Sequence, residues 1–420
     1  MKKLVNSRLF KAAAMKAGKH MENSGTVLMP GGVRDLLPGE ARRKRDLEDK
    51  LLRLFRSWGY QEVVTPTFEY YEVLAPALGD MLHNQLYRFI DDRGQIMVLR
   101  PDMTTPIARL VSTRLQDQEL PQRFCYTANV YRRESQAGRQ REFYQTGVEL
   151  VGAAGPDADA EVISLAAEAL KLAGVEDFRI TVGHVDVLTG VLKGAGFSAA
   201  EQEQAKIALS NKDLVAWEGL LAGSELSREK KKAVASLPYL HGGFEVFGQI
   251  EGLIQDEPAK RGLASLRRVW KILSDYGFRE QVGIDLTLLR ALGYYTGLVF
   301  ECYVAGVGYP LCGGGRYDEL LAKFGYPCPA TGFALTMDRV LDALEKQELP
   351  FEKQIPDYFI TGDDTDEVIK KARELRVNGF IVEVDLSERP RQEAIAYASR
   401  KGIPYILVME NPEEKVERSK

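Results

Sequence analysis

The sequence predicts an α+β fold: an antiparallel sheet flanked by helices, with a helical insertion and a small C-terminal α/β domain. Three observations predict it. Two pairs of alternating apolar segments, within residues 86–99 and 123–150, read as antiparallel neighbours joined by polar turns. From about residue 190 to 281 the pattern changes to short helical segments rich in Lys and Glu, as an insertion between two halves of one sheet would. Beyond residue 357 strand and helix patterns alternate, which implies a parallel sheet built through crossovers.

At 420 residues the chain exceeds one compact core and divides into domains. With 45% apolar and 28% charged residues it has the composition of a soluble globular protein, and a net charge of −4 leaves no basic footprint for nucleic acid. Cys125, Cys302, Cys312 and Cys328 stand at unrelated spacings with no CxxC pair. Reduced thiols in a cytoplasm follow, rather than a disulfide framework or a metal site. No apolar run reaches the roughly 20 residues that span a bilayer, so no membrane partner is expected.

Residues 1–29 form a basic arm, with Lys2, Lys3, Arg8, Lys11, Lys16 and Lys19 preceding the first acid, Glu22. It lacks the apolar core of a secretory signal, and a disordered arm is expected. The main domain spans 30–345. Its first helix carries Leu47, Leu51, Leu54, Phe55 and Trp58 on one stripe and closes at Gly59. Gln61–Thr65 reads as a strand ended by Pro66, which cannot donate to a ladder. A hairpin follows, Tyr87–Ile90 and Ile96–Leu99, turned at Asp91–Gly94. Arg100–Thr105 then caps a helix to about Leu115. Strands Arg123–Tyr131 and Phe143–Leu150 flank a polar loop, and Asp157–Gly174 is a helix with an acidic first turn and a C′ glycine.

Residues 289–303 combine a single cation, Arg290, with Tyr294, Tyr295 and an alternating apolar strand. A buried arginine there needs a carboxylate elsewhere in the fold or an anionic ligand, and the stretch alone leaves both open. Residues 346–356 are a Pro-bearing linker. The domain 357–420 reads as strand Tyr358–Thr361, helix Glu367–Val377, strand Phe380–Val384, helix Arg391–Lys401 and strand Tyr405–Met409.

Polar groups recur at strand ends and turns: Asp102, Thr104, Arg132, Glu134, Arg139, Gln145, Glu149, Arg290, Tyr294 and Arg339. Together such groups suit a zwitterionic amino acid, carboxylates facing its ammonium and an arginine its carboxylate. Each one alone is more often a surface ion-pair partner, so the motifs must carry the case together.

Those motifs resemble a known family. Thr65-Pro66 and the strand after it resemble motif 1 of the class II aminoacyl-tRNA synthetases. Tyr131-Arg-Arg-Glu134 with the run through Phe143 resembles motif 2, and Gly332-Phe-Ala-Leu-Thr-Met-Asp-Arg339 resembles motif 3. Arg290-Ala-Leu-Gly-Tyr-Tyr295 and Gly313-Gly-Gly-Arg-Tyr-Asp318 are similar to two signatures of the histidyl branch. The resemblance covers Pro30 to Met409 and implies a class II aminoacyl-tRNA synthetase-like fold with a truncated anticodon-binding-like C-terminal domain.

Departures from the synthetase pattern weigh on activity. Leu-Arg-Pro-Glu-Gly-Thr is here Leu99-Arg-Pro-Asp-Met-Thr104, and Ser135 alone stands where motif 2 has Arg-Pro. Gly293 replaces an aspartate, and Thr336 and Asp338 replace the glycine and glutamate before Arg339. These changes resemble the synthetase-like paralogues that serve as regulatory subunits of ATP phosphoribosyltransferase, the first enzyme of histidine biosynthesis. The resemblance implies no catalytic residue, no cofactor and no metal. It implies a self-dimer within a hetero-octamer with the short catalytic subunit, histidine as feedback effector, and no tRNA partner. By position it implies Asp102 and Thr104 toward the histidine ammonium, and Gln145 and Glu149 toward ammonium or imidazole. Arg290 would face the carboxylate, with Tyr294 and Tyr295 lining the ring pocket. Arg132, Glu134 and Arg339 match nucleotide contacts of the family. The alternative is a divergent histidyl-tRNA synthetase. Ile360–Asp366 faintly resembles a phosphoribosyl-diphosphate loop, but without a Gly/Thr-rich cradle it reads better as a loop with an acidic helix start.

Overall fold

The computed structural model describes residues 29–133, 140–289, 293–347, 355–387, 389–410 and 413–418. The expected arm up to residue 28, Glu134, Arg139, Arg290 and most of the expected linker lie outside the described residues. The chain divides into two compact units, Met1–Leu36 with Ala41–Leu349, and Leu37–Glu40 with Pro350–Lys420.

The strands of the larger unit are β1 (Gln61–Glu62), β2 (Phe68–Tyr70), β3 (Arg88–Ile90), β4 (Ile96–Leu99), β5 (Gln122–Tyr131) and β6 (Glu142–Val151). They continue with β7 (Arg179–His184), β8 (His241–Gly242), β9 (Val282–Asp285), β10 (Leu298–Tyr303), β11 (Cys312–Arg316) and β12 (Ala330–Thr336). Nine of them form one sheet in the order β1-β5-β6-β12-β11-β10-β7-β9-β8. Its centre is antiparallel, but β1 lies parallel to β5 and β7 parallel to β9. The sheet is therefore mixed, where the sequence suggested antiparallel pairing throughout. The reason is the insertion: its helices make a crossover from β7 back to β9, and a crossover returns a strand in parallel.

Local signals explain most elements. Helix Pro38–Ser57 buries Leu47, Leu51 and Phe55, and Gly59 follows it at φ +84°. The expected strand to Thr65 shrinks to β1, because Arg100 takes its continuation. Arg100 is buried, and its guanidinium donates to the carbonyls of Thr65 (2.8 Å) and Asn129 (2.7 Å). The β3–β4 hairpin forms as expected, with β2 on its other side, but as a separate three-stranded sheet. Between β7 and β9 lie helices Val185–Ala195, Ala199–Ser210, Leu214–Gly223, Arg228–Ala235, Val246–Glu251 and Glu257–Asp275. Ser198, Asp213, Ser227 and Asp256 cap four of them through side-chain oxygens.

Helix Pro156–Ala173 lies against the sheet and is fixed there by Arg316 at the end of β11. The buried guanidinium pairs with Asp159 at 2.8 Å and Asp318 at 3.0 Å. It also donates to the carbonyls of Ala153 and Gly155, just before the helix. This cation and the surrounding burial hold the imidazole of His184 neutral, its pKa lowered to about 4, mainly by burial.

The smaller unit contains β13 (Tyr358–Gly362), β14 (Val382–Val384), β15 (Tyr405–Glu410) and β16 (Glu413–Arg418), in the order β14-β13-β15-β16. The first three are parallel. Helix Thr365–Val377 covers one face over Ile360 and Leu407, and helix Arg391–Lys401 the other over Phe359 and Ile406. Strand β16, antiparallel to β15, was not expected. Its sequence, Glu-Glu-Lys-Val-Glu-Arg, carries one apolar residue, and charged edge strands give no alternation to read. Among the described residues no helix is long and apolar enough to cross a membrane.

Arg316→Leu leaves Asp159, 2% exposed, buried without its cation. A loss of about 3–5 kcal/mol is expected in urea denaturation, and Arg316→Leu with Asp159→Leu should recover part of it.

Candidate functional site

Strands β5, β6, β11 and β12 present a face made hollow by small residues. Gly147 on β6 stands opposite Tyr126 on β5 and Ala334 on β12. A Cβ on Gly147 would lie 2.7 Å from the Tyr126 hydroxyl, and one on Gly332 would lie 1.9 Å from Glu149 Oε2. The glycines leave room for side chains to turn inward around a pocket with a cavity volume of about 80 Å³. Asp102, Thr104, Arg132, Gln145, Tyr294, Tyr295 and Arg339 all line it.

Residues separated by more than two hundred positions are thus brought together. Asp102 precedes helix Thr104–Leu110 and accepts from the Thr105 amide at 2.9 Å, which fixes the carboxylate at the helix start. Gln145 sits on β6 in register with Thr336. Tyr294 and Tyr295 pack with ring centroids 4.9 Å apart, and Tyr294 also meets Tyr317 edge-on at 5.8 Å. Arg132 donates to the Pro101 carbonyl at 2.8 Å and lies over Phe143; Arg339 donates to the Pro310 carbonyl at 2.8 Å and lies over Tyr309.

Glu149 is buried at 1% exposure under the pocket. Thr104 Oγ1 donates to its Oε1 at 2.7 Å, and the Tyr317 hydroxyl donates to its Oε2. Burial pushes its pKa up to about 8 against these two hydroxyls, and the neighbouring Asp102 raises it further. Burial likewise raises Asp102. Two buried carboxylates under one pocket make an environment that favours a cation.

Sequence reading missed Tyr126 and Tyr317. Tyr317 lies inside the Gly313–Asp318 signature, and Gly147 within a strand marked the close approach of Tyr126. Arg290 and Glu134 lie outside the described residues, so the pocket is described here without them. Gly293 has φ +74°, and a Cβ there would come within 2.9 Å of the Gly79 Cα. The glycine read as a lost aspartate is therefore also required by the backbone. Among the described residues no cluster of His, Cys, Asp or Glu is arranged to hold a metal ion.

The fold and pocket are those of a class II synthetase-like protein. The family model for histidyl-tRNA synthetase matches residues 32–340, and that for the anticodon binding domain matches 349–417. A histidyl-tRNA synthetase of Nostoc, 22% identical, has the same fold at a TM-score of 0.78, covering 94% of this chain and 97% of its own. The ATP phosphoribosyltransferase regulatory subunit of Moorella thermoacetica is 47% identical over 91% of this chain and 98% of its own length. That of Desulforamulus reducens is 43% identical over 92% and 97%. A solved Bacillus halodurans structure, titled as ATP phosphoribosyltransferase regulatory subunit/histidyl-tRNA synthetase, is 36% identical with a TM-score of 0.82, covering 89% of this chain and 97% of its own. This chain belongs to the ATP phosphoribosyltransferase regulatory subunit family.

The Glu149 shift sets a stability profile. Its folded pKa, about 8, lies above the ordinary 4.5, so the folded state keeps a proton that the unfolded state releases. Its contribution to stability should be unimpaired below pH 4.5, decline as pH rises to about 8, and level off, at about 1.4 kcal/mol per unit within that window. Urea denaturation from pH 5 to 9 should show a flatter profile for Glu149→Gln than for the wild type.

Proposed function

We propose that this chain is the non-catalytic regulatory subunit of a cytoplasmic ATP phosphoribosyltransferase, that it binds histidine in the pocket, and that binding mediates feedback inhibition. The observation that carries the reading is the pairing of buried Asp102 and Glu149 with Gln145, two tyrosines and two arginines around one pocket. The carboxylates suit an ammonium and an imidazole N–H, and a guanidinium suits a carboxylate. Arg290, placed by the motif between Leu289 and Tyr294, supplies the carboxylate contact on this reading. Histidine would act by binding one quaternary state of the complex more tightly than another.

Thr336 lining the pocket, and the shortened motif 2 loop, argue against nucleotide activation. Arg132 and Arg339 keep the synthetase alternative testable, with Glu134 beside them in sequence. The assay is histidine-dependent exchange of pyrophosphate into ATP, and robust exchange would overturn the non-catalytic reading.

Calorimetric titration with histidine should give saturable binding that Arg290→Ala weakens by at least tenfold, while inhibition of the reconstituted complex is lost. Because an ammonium favours the ionised Glu149, affinity should rise with pH to about 8 and then level off. Intact binding and inhibition in Arg290→Ala would remove the assignment.

The self-dimer is proposed on an exposed apolar face that follows Pro66, where Phe68 is 54%, Tyr70 40% and Phe89 41% exposed on one side of the β2-β4-β3 sheet. Phe89→Lys should shift sedimentation toward a lighter species without lowering the melting temperature. The hetero-octamer with the catalytic subunit and the absence of a tRNA partner belong to the same proposal.

A further inference from the structure

The β2-β4-β3 sheet ends on an uncovered edge. Strand β3, Arg88-Phe89-Ile90, is exposed at every residue, and among the described residues it pairs with β4 alone. Two contacts fix which pairs of the hairpin are bonded. The Leu99 amide donates to the Tyr87 carbonyl at 3.0 Å, and the Asp91 amide to the Gln95 carbonyl at 3.0 Å. Bonded and unbonded pairs alternate along an antiparallel ladder, so Phe89 bonds to Met97 on β4. The amides and carbonyls of Arg88 and Ile90 therefore point the other way, to the free edge. Among the described residues they have no backbone partner there.

An open edge is a template for another strand, and proteins guard it with charge, Pro, a bulge or a covering element. The smaller unit guards both edges of its sheet. β16 is charged at five of six residues, and on β14 the Arg376 guanidinium caps the Val382 carbonyl at 2.9 Å. β3 has no such guard. It carries no Pro or Lys, and its one charge is turned back onto its own chain. The Arg88 guanidinium lies 4.6 Å from the Tyr71 ring centre and donates to the His83 carbonyl at 3.1 Å. The apolar face runs up to this edge, because Phe89 meets Phe68 edge-on at 6.0 Å. Ile90, on the opposite face, is 71% exposed.

We propose that the β3 edge pairs antiparallel with the β3 edge of a second copy, about a two-fold axis at Phe89, joining the two small sheets into one. The pairing rests on the self-dimer reading and adds its edge, direction and register. A two-fold axis brings the same edge of both copies together, and antiparallel strands then exchange bonds. The outward residues choose the register. Arg88 opposite the partner's Arg88 sets like charges face to face, which destabilises a sheet. Ile90 opposite the partner's Ile90 leaves Arg88 opposite the partner's Asp92, which lies in the turn beyond β3. Arg88 opposite the partner's Ile90 avoids both. In that register about four backbone hydrogen bonds form, all from groups open in the single chain. Phe89 then faces the partner's Phe89 as an unbonded pair, Cα atoms about 4.5 Å apart, and the apolar face continues across the junction.

The test uses the full chain with Phe89→Cys, Ile90→Cys and Ile90→Pro, read by sedimentation and by copper–phenanthroline oxidation on non-reducing gels. Cys125, Cys302, Cys312 and Cys328 are buried, so the wild type should stay free of cross-links. Phe89→Cys should give a disulfide-linked dimer, because its Cα separation across the axis lies within disulfide reach. It should form at least tenfold faster than with Ile90→Cys, whose partner position is diagonal. Ile90→Pro removes an outward amide and no bond to β4, and should weaken the dimer at least tenfold. If the proline also lowers the melting temperature, the two cysteine variants decide. A dimer that Phe89→Cys does not cross-link, or that Ile90→Cys cross-links faster, overturns the pairing and leaves the self-dimer standing. A chain that is monomeric at every concentration removes the self-dimer and the pairing together, and histidine titration still decides the pocket. If Ile90→Pro leaves the dimer intact but abolishes association with the catalytic subunit, the edge belongs to a foreign strand and the pairing of copies is overturned.

Discussion

The pocket depends on one buried carboxylate. Glu149 has lost its water and is held by two hydroxyls and crowded by Asp102. That arrangement dictates its surroundings. Position 332 must be glycine, because any side chain there would overlap Glu149 Oε2. Thr104 must open its helix at the depth where its hydroxyl meets Oε1, which is where the Asp102–Thr105 bond sets the helix start. Tyr317 must follow β11 immediately, and the ion pairs of Arg316, the residue before it, fix that strand end against helix Pro156–Ala173. Among the described residues no cation pairs with this acid, and burial keeps its proton on at neutral pH.

Gly293 illustrates how a sequence comparison and a structure weigh the same residue differently. Against the synthetase pattern it is an absent aspartate, a lost functional group beside the pocket. In the fold it has a left-handed backbone packed against Gly79, where a side chain costs about 1–2 kcal/mol in backbone strain before any contact with Gly79 is counted. Restoring the aspartate would therefore test two things at once, and its failure would say little about catalysis.

Much of this was legible because periodicity and punctuation report burial directly. The Leu47–Phe55 stripe, Gly59, Gly174 and the β3–β4 hairpin follow from spacing alone. The parallel pairings β1–β5 and β7–β9 of the larger unit did not. β1 has two residues and β9 four, too short to carry a pattern, and their direction is set by connections rather than by composition. Within the pocket, the polar residues were found because they recur in motifs, and their convergence follows from the register of β5, β6, β11 and β12. Tyr126 and Tyr317 escaped notice because a tyrosine in an apolar strand or beside a turn reads as core until the pocket it lines is seen.

The requirements for sensing an amino acid are a subset of those for activating it. On the proposed reading, recognition uses the carboxylates, Gln145, the tyrosines and a cation for the ligand carboxylate. Activation further needs a nucleotide held in line and charge stabilised as it develops in the transition state. The shortened motif 2 loop and Thr336 on the pocket wall bear on that second set, while Asp102 in place of a glutamate falls within the first. On the proposed reading, binding energy released from transition-state work is available to bias a quaternary equilibrium. A shift from one state to the other across a hundredfold excess on each side takes about 5.5 kcal/mol of differential affinity. On the same reading, a pocket built around a proton-holding Glu149 would make that differential depend on pH as well as on ligand.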